Sequence, residues 1–468
     1  MPVNDPVEPP DAELRADAWC GEGAHGRPAT DAAKWSVRPP TSFKGVKLAP
    51  APVDPANWRH PAVGWGVVLP DRADATRPEK ARGDDAPQPI RELIADRGSA
   101  PIFRYRPESG DGKLRYYTAR DTEHDLAFSG DRGSGPFQIP RYLLIVGSPA
   151  AIPWSAQLRM QLDACVGRLD LDPTGLANYV RALRSDWTDS QRDATRPVVW
   201  AVDHGHPDIT RLMRKAIADK IAAAFAQDKE FDMRGGVLMD ADATGSGLAD
   251  TLGARQPAFV LTSSHGATFP LNDTAAMTAQ LGLLVDHVKA VLPLDRVPAD
   301  AAYGAIWYAH ACCSAGSDGV SQFTTLVEPG TLLSDTLLAV EKCGSLTAPL
   351  PRRLLGSETP VRAFVGHVEP TFNWTLREPD TGQVVTHHIV QALYNQLHLS
   401  SRPPIGLAMA TYYANVGGLL RDHLQELVGV NKHAAGALER AMRAKLMALD
   451  RLATVVLGDP TVALPKAK

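Results

Sequence analysis

A chain of 468 residues, 44% hydrophobic and 22% charged, is long enough for two or three compact units, each with its own core. With 49 basic against 53 acidic side chains its net charge is −4, which argues against nucleic-acid or anionic-membrane binding driven by bulk charge. No apolar run approaches the ~20 residues that span a bilayer, and the acidic, proline-containing start from Met1 to Cys20 lacks the segments of a secretory signal, so a cytoplasmic protein engaging neither membrane nor nucleic acid is expected.

Residues 1–60, rich in proline, alanine and charge, read as an irregular arm. Residues 61–139 read as a small N-terminal domain: a strand over 63–70, a polar loop over 71–88, a short helix over 89–97 and a strand over 101–106. From residue 140 strands and helices alternate. Residues 142–147 form a buried strand stopped by Ser148-Pro149. A strand over 198–203, a crossover helix over 211–227, a strand over 236–240 and a short helix over 248–254, capped by Thr244 or Ser246, complete a first α/β subdomain over 140–254. Residues 255–468 form a second, catalytic α/β subdomain with strands over 258–263, 305–311 and 360–366. A loop over 316–331 is expected to be mobile, and a long amphipathic helix over 434–457 is ended by Gly458-Asp459-Pro460. This alternation gives the α/β class: a mostly parallel sheet with helices on both faces.

Two strands end in reactive side chains. Residues 258–263 lead into Ser264-His265-Gly266, and residues 305–311 lead into Cys312-Cys313-Ser314-Ala315-Gly316. Chemistry collects at the carboxyl ends of strands in open α/β sheets, so an imidazole and a thiol are expected to face one crevice from neighbouring strands. That is the minimum set for a thiol nucleophile and its acid/base partner. Gly266 permits a sharp turn and offers an N–H to a bound carbonyl, and the small residues after the cysteines leave room for a substrate. The spacing from His265 to Cys312 fits one helix-containing crossover between adjacent parallel strands. Singly, each feature has a plainer reading: a lone histidine after a strand caps or faces solvent, and paired cysteines are more often two small buried residues. A zinc site from His265, His310, Cys312 and Cys313 is a further alternative, but adjacent cysteines rarely wrap one ion and no Cys-x-x-Cys occurs. The five cysteines (Cys20, Cys165, Cys312, Cys313 and Cys343) are too irregular for a disulfide framework and suit a reducing compartment.

Together these residues resemble the clan of cysteine peptidases that includes caspases, separases, gingipains and bacterial caspase-HetF-type domains, in which one strand ends in His-Gly and another in Ala-Cys. Here these are His265-Gly266 and Ala311-Cys312. The likeness to the gingipain-type branch spans residues 140–464. Residues 142–149 with Ile152-Pro153 are similar to its opening strand, and Val166-Gly167-Arg168-Leu169 to its "VGR" segment. Arg353-Leu354-Leu355-Gly356 and then Val365-Gly366-His367-Val368-Glu369 resemble its following strand, and Leu457-Gly458-Asp459-Pro460 its closing motif.

The resemblance implies a caspase/gingipain-like three-layer sandwich and a thiol endopeptidase without cofactor or metal. It implies that Cys312 is the nucleophile, His265 the general acid and base, and the N–H groups of Gly266 and Cys312 the oxyanion hole, with Cys313 the rival nucleophile. No third triad member is obvious, and His310 reads as a core histidine. In such peptidases an acidic residue in the first pocket selects Arg or Lys; Asp208, Asp163 and Glu369 are candidates, each also readable as a capping or solvated carboxylate. The expected role is intracellular cleavage of one or a few proteins, in the manner of relatives that act in bacterial defence or programmed death. A regulatory partner would dock through residues 1–140. The alternatives are a non-catalytic caspase-like scaffold and a thiol redox or metal sensor.

Overall fold

Tyr142–Val146, Phe259–Ser263, Ile306–His310 and Ala363–His367 are buried at every residue, so both faces of each are covered, as in a parallel sheet sandwiched between helices. The computed structural model describes residues 14–19, 23–26, 53–98, 100–109, 112–297, 300–377 and 381–466. In chain order the strands are β1 (Leu14–Trp19), β2 (Gly23–Gly26), β3 (Trp65–Pro70), β4 (Ile102–Tyr105), β5 (Lys113–Tyr117), β6 (Glu123–Ala127), β7 (Tyr142–Val146), β8 (Cys165–Leu169), β9 (Val198–Ala201), β10 (Val237–Met239), β11 (Phe259–Ser263), β12 (Ile306–His310), β13 (Gly316–Ser317), β14 (Leu346–Thr347), β15 (Ala363–His367) and β16 (Thr454–Gly458). β1 and β2 pair antiparallel; the rest of the expected arm up to residue 52 lies outside the described residues.

Among the described residues, twelve strands make one sheet in the order β10-β9-β11-β12-β15-β16-β8-β7-β3-β4-β5-β6. β10, β9, β11, β12 and β15 are mutually parallel. β16, β8, β7, β3 and β4 are parallel to one another, and the β15–β16 pair joins the two groups antiparallel. The sheet is therefore mostly parallel, and the carboxyl ends of β9, β11, β12 and β15 gather at one edge. No helix among the described residues is long and apolar enough to cross a membrane.

The motif residues near β8 and the C-terminus prove to be architecture. Arg168 is fully buried and donates to Gln157 Oε1 at 2.7 Å, Gly147 O at 2.9 Å and Ile152 O at 2.8 Å; burial pushes its guanidinium down to about 9. Asp459, also fully buried, accepts from Trp65 Nε1 at 3.0 Å and Arg97 Nη1 at 3.2 Å, tying the end of the chain to β3.

Several expectations need correction. The polar segment 71–88 contains the helix Arg77–Arg82, started by a capping box between Thr76 and Glu79 and stopped by Gly83 at φ 72°. The helix expected to reach residue 457 is Ala437–Leu452; the β-branched run that follows is β16, at the centre of the sheet. Arg353-Leu354-Leu355-Gly356 lies in the helix Pro349–Gly356, not in a strand. Residues 61–139 do not stand apart, because β3 pairs with β7 from Trp65↔Tyr142 to Val68↔Ile145. β9 and β10, grouped in expectation with residues 142–147, pair instead alongside β11.

Candidate functional site

β11 and β12 lie side by side in parallel, with Ser263 opposite His310. The segments that follow them therefore leave the sheet together, and Ser264 N–H still donates to His310 O at 3.2 Å. At Gly266 the two segments nearly touch: a Cβ there would lie 1.9 Å from Cys312 O and 2.9 Å from its carbonyl carbon. Only glycine permits that approach. Gly266 bridges antiparallel to Leu284, but the bonds run from Ala267 N–H to Leu283 O at 2.8 Å and from Val285 N–H to His265 O at 3.1 Å. In such a non-hydrogen-bonded pair the N–H of Gly266 points away from its partner.

Cys312 is half-buried, and its Sγ accepts from Thr371 N–H at 3.4 Å. Burial pushes the thiol up to about 11, with the Thr371 N–H pulling back the other way, so the resting group holds its proton at neutral pH. Cys313 takes φ 56°, a strained value for a side chain with a Cβ. It is fully buried, clustered with Met277, Leu281, Ala339 and Val340, and burial drives its thiol well above the usual range. Its N–H donates to Glu369 O at 2.9 Å. Adjacent in sequence, the two thiols thus have different surroundings, and Cys312 is the more accessible.

Asp208 follows β9, the other neighbour of β11. Its Oδ1 caps the helix Ile209–Met213 by accepting from Thr210 N–H at 2.9 Å and Thr210 Oγ1 at 2.6 Å. Both carboxylate oxygens lie 3.0 Å from His265 Nε2. Burial acts to raise this carboxyl, but the hydrogen bonds from His265 and Thr210 prevail and hold it at about 2. An ionised carboxylate only accepts, so Nε2 of His265 carries a proton, and in the neutral ring Nδ1 presents the lone pair. Asp208, anticipated as a pocket carboxylate, thus reaches the imidazole as the partner for which no residue had been singled out.

The other anticipated carboxylates lie apart from this pair. Asp163 is exposed in the turn before β8, which the order β12-β15-β16-β8 separates from the cysteine strand. Glu369 is buried beneath the cysteine turn at φ 69°; burial pushes its carboxyl up to about 7, and its Oε1 has no hydrogen-bond partner. His310 is buried, with Nδ1 3.0 Å from the Tyr308 hydroxyl, and burial lowers it to about 4. The four-residue zinc set is not assembled: among the described residues, the metal-type cluster is His204, Asp208 and His265. Sequence reasoning passed over His204 and Thr371. His204 carried a signal, since Asp203-His204-Gly205 follows β9 much as Ser264-His265-Gly266 follows β11. The cleft lined by Trp58, Arg97 and Arg402 includes none of these residues.

No protein-family model and no curated protein matches the chain. Solved structures do. The Arg-specific cysteine proteinase gingipain R matches at TM-score 0.44 and 12% identity, over 87% of this chain and 79% of that one. A structure described only as a protease matches at TM-score 0.44 and 11% identity, over 87% and 80%. The Saccharomyces cerevisiae separase–securin complex matches at TM-score 0.34 and 11% identity, over 73% of this chain and 16% of that one.

Proposed function

We propose that the chain is a cysteine-type endopeptidase in which Cys312 attacks the scissile carbonyl, His265 moves the protons and Asp208 orients His265. The observation that carries this reading is the doubly contacted Asp208–His265 pair beside the Gly266–Cys312 approach. Because the Cys312 thiol rests at about 11, a standing thiolate is not the nucleophile. His265 Nδ1 takes the proton as the C–S bond forms, and the ionised Asp208 carboxylate stabilises the imidazolium. The developing oxyanion is received by the N–H groups of Gly266 and Cys312. The imidazolium then protonates the leaving amine, and the ring activates the water that hydrolyses the thioester. Cys313, closed in by apolar side chains, is the weaker candidate.

On this reading the enzyme works inside a bacterial cell on one or a few proteins, in defence or regulated death, under control exerted through residues 1–140. Peptide-library cleavage by wild type and by Cys312→Ala tests it: selective cleavage lost in the variant is expected, and cleavage by both sinks it. A non-catalytic scaffold is the second reading, favoured by the raised thiol. It predicts iodoacetamide labelling of Cys312 unaffected by His265→Ala, whereas the peptidase reading predicts that the variant slows it.

A further inference from the structure

His265 has a second imidazole against it. The His204 ring stacks on it with centroids 5.6 Å apart and planes inclined by 20°. The His204 side chain is only 2% exposed, and its Nε2 lies 2.9 Å from Asp286 O. A carbonyl only accepts, so Nε2 carries a proton, and in the neutral ring Nδ1 turns a lone pair inward. That Nδ1 has no hydrogen-bond partner, and it faces Asp208 Oδ2 at 3.9 Å. Two lone-pair-bearing groups turned toward each other in a nearly closed position leave a gap that a cation suits. An imidazole held by a backbone carbonyl through its other nitrogen is also how metal-binding histidines are oriented. The ligand atoms of His204, Asp208 and His265 all lie within 4.8 Å of one another. Bonds of ~2.0–2.1 Å to a tetrahedral ion require them about 3.3 Å apart, so a small inward shift closes the set.

We infer that His204 Nδ1, an Asp208 carboxylate oxygen and His265 Nε2 form a site for one divalent transition cation of the zinc type, with water as the fourth ligand. Two imidazoles and a carboxylate match the donor preference of that class, and no thiol takes part. Binding requires the lone pair of His265 Nε2. The proton now on Nε2 moves to Nδ1, so the ring changes tautomer with no net proton release. It then has no lone pair to accept a proton from a thiol, and Asp208 is engaged by the cation. The ion therefore switches off the acid/base group, a consequence that rests on the peptidase reading; the site itself does not.

The test uses full-length, chelator-treated Cys312→Ala protein titrated with Co2+ and with Zn2+. One equivalent should bind, giving the visible absorption of four-coordinate Co2+ without a sulfur-to-metal charge-transfer band. In that background His204→Gln and Asp208→Asn should each weaken binding at least ~100-fold. A readout that needs no variant is the 15N resonances of wild-type histidine rings, two of which should shift with one equivalent of Zn2+. Undiminished affinity in both variants, a thiolate band, or no uptake at about 1 mM Zn2+ overturns the site. Wild-type peptide cleavage separates the two claims. Binding with these signatures but no inhibition would leave the site standing and count against the role given to His265. Cleavage by a protein that takes up no metal would do the reverse.

Discussion

Replacing Gly266 with alanine tests the junction between the two strand ends. The new Cβ would sit 1.9 Å from Cys312 O and 3.1 Å from Cys312 N, whereas ordinary contact begins near 3.4 Å. The two segments must therefore separate by about 1.5 Å. The strands behind them are in full register, so the shift falls on the residues just beyond, which carry His265 and Cys312. A displacement near 1 Å at a reacting centre costs on the order of 10²-fold in rate, whereas overpacking a single methyl costs about 1–3 kcal/mol of stability. A fluorogenic peptide from the library screen should show kcat/KM down roughly 10²-fold, while the melting temperature falls by at most about ten degrees. Gly417→Ala is the control, because a Cβ there meets nothing within 4 Å. Wild-type kcat/KM and melting temperature in Gly266→Ala would refute the reasoning.

Asp208→Asn keeps an N-cap acceptor but loses the charge facing His265, so kcat should drop about 10²-fold or more with thermal stability nearly unchanged; an equal kcat would remove Asp208 from the mechanism. With the Cys312 thiol at about 11 and His265 replaced by alanine, so that no base takes its proton, iodoacetamide alkylation of Cys312 should quicken about tenfold per pH unit between pH 7 and 9; a flat profile in that variant would mean a standing thiolate. Glu369 is raised from 4.5 to about 7, so between those values the folded state holds a proton that the unfolded state has lost, and stability declines as pH rises through the window, by about 3 kcal/mol at most. Glu369→Gln should flatten that decline in melts from pH 4 to 8; a wild-type-to-variant difference independent of pH would contradict it.

The strand ends bearing His265 and Cys312 were legible because a short apolar run followed by a polar side chain and glycine is a local pattern. The helix Arg77–Arg82 was missed although Thr76 and Glu79 spell a capping box, because the surrounding run of charge reads as a loop. Sheet order is another matter. β16 enters between β15 and β8 from the far end of the chain, and nothing local in Thr454-Val455-Val456-Leu457-Gly458 records those neighbours. The same holds for Asp208, whose contact with His265 spans 57 residues and follows from β9 lying beside β11. Read alone, Asp208 is a helix cap, which it also is. The difference between the two cysteines was equally hidden, because it depends on a positive φ at Cys313 and on side chains from distant helices.

The central claim is that one thiol, Cys312, is served by one imidazole, His265. Mass-spectrometric mapping of a peptidyl acyloxymethyl ketone reacted with the native chain tests it directly. The adduct should fall on Cys312 and be lost when His265 is replaced by alanine in a variant with an unchanged melting curve. An adduct on Cys313 or Cys343, or undiminished modification of Cys312 without His265, would contradict it.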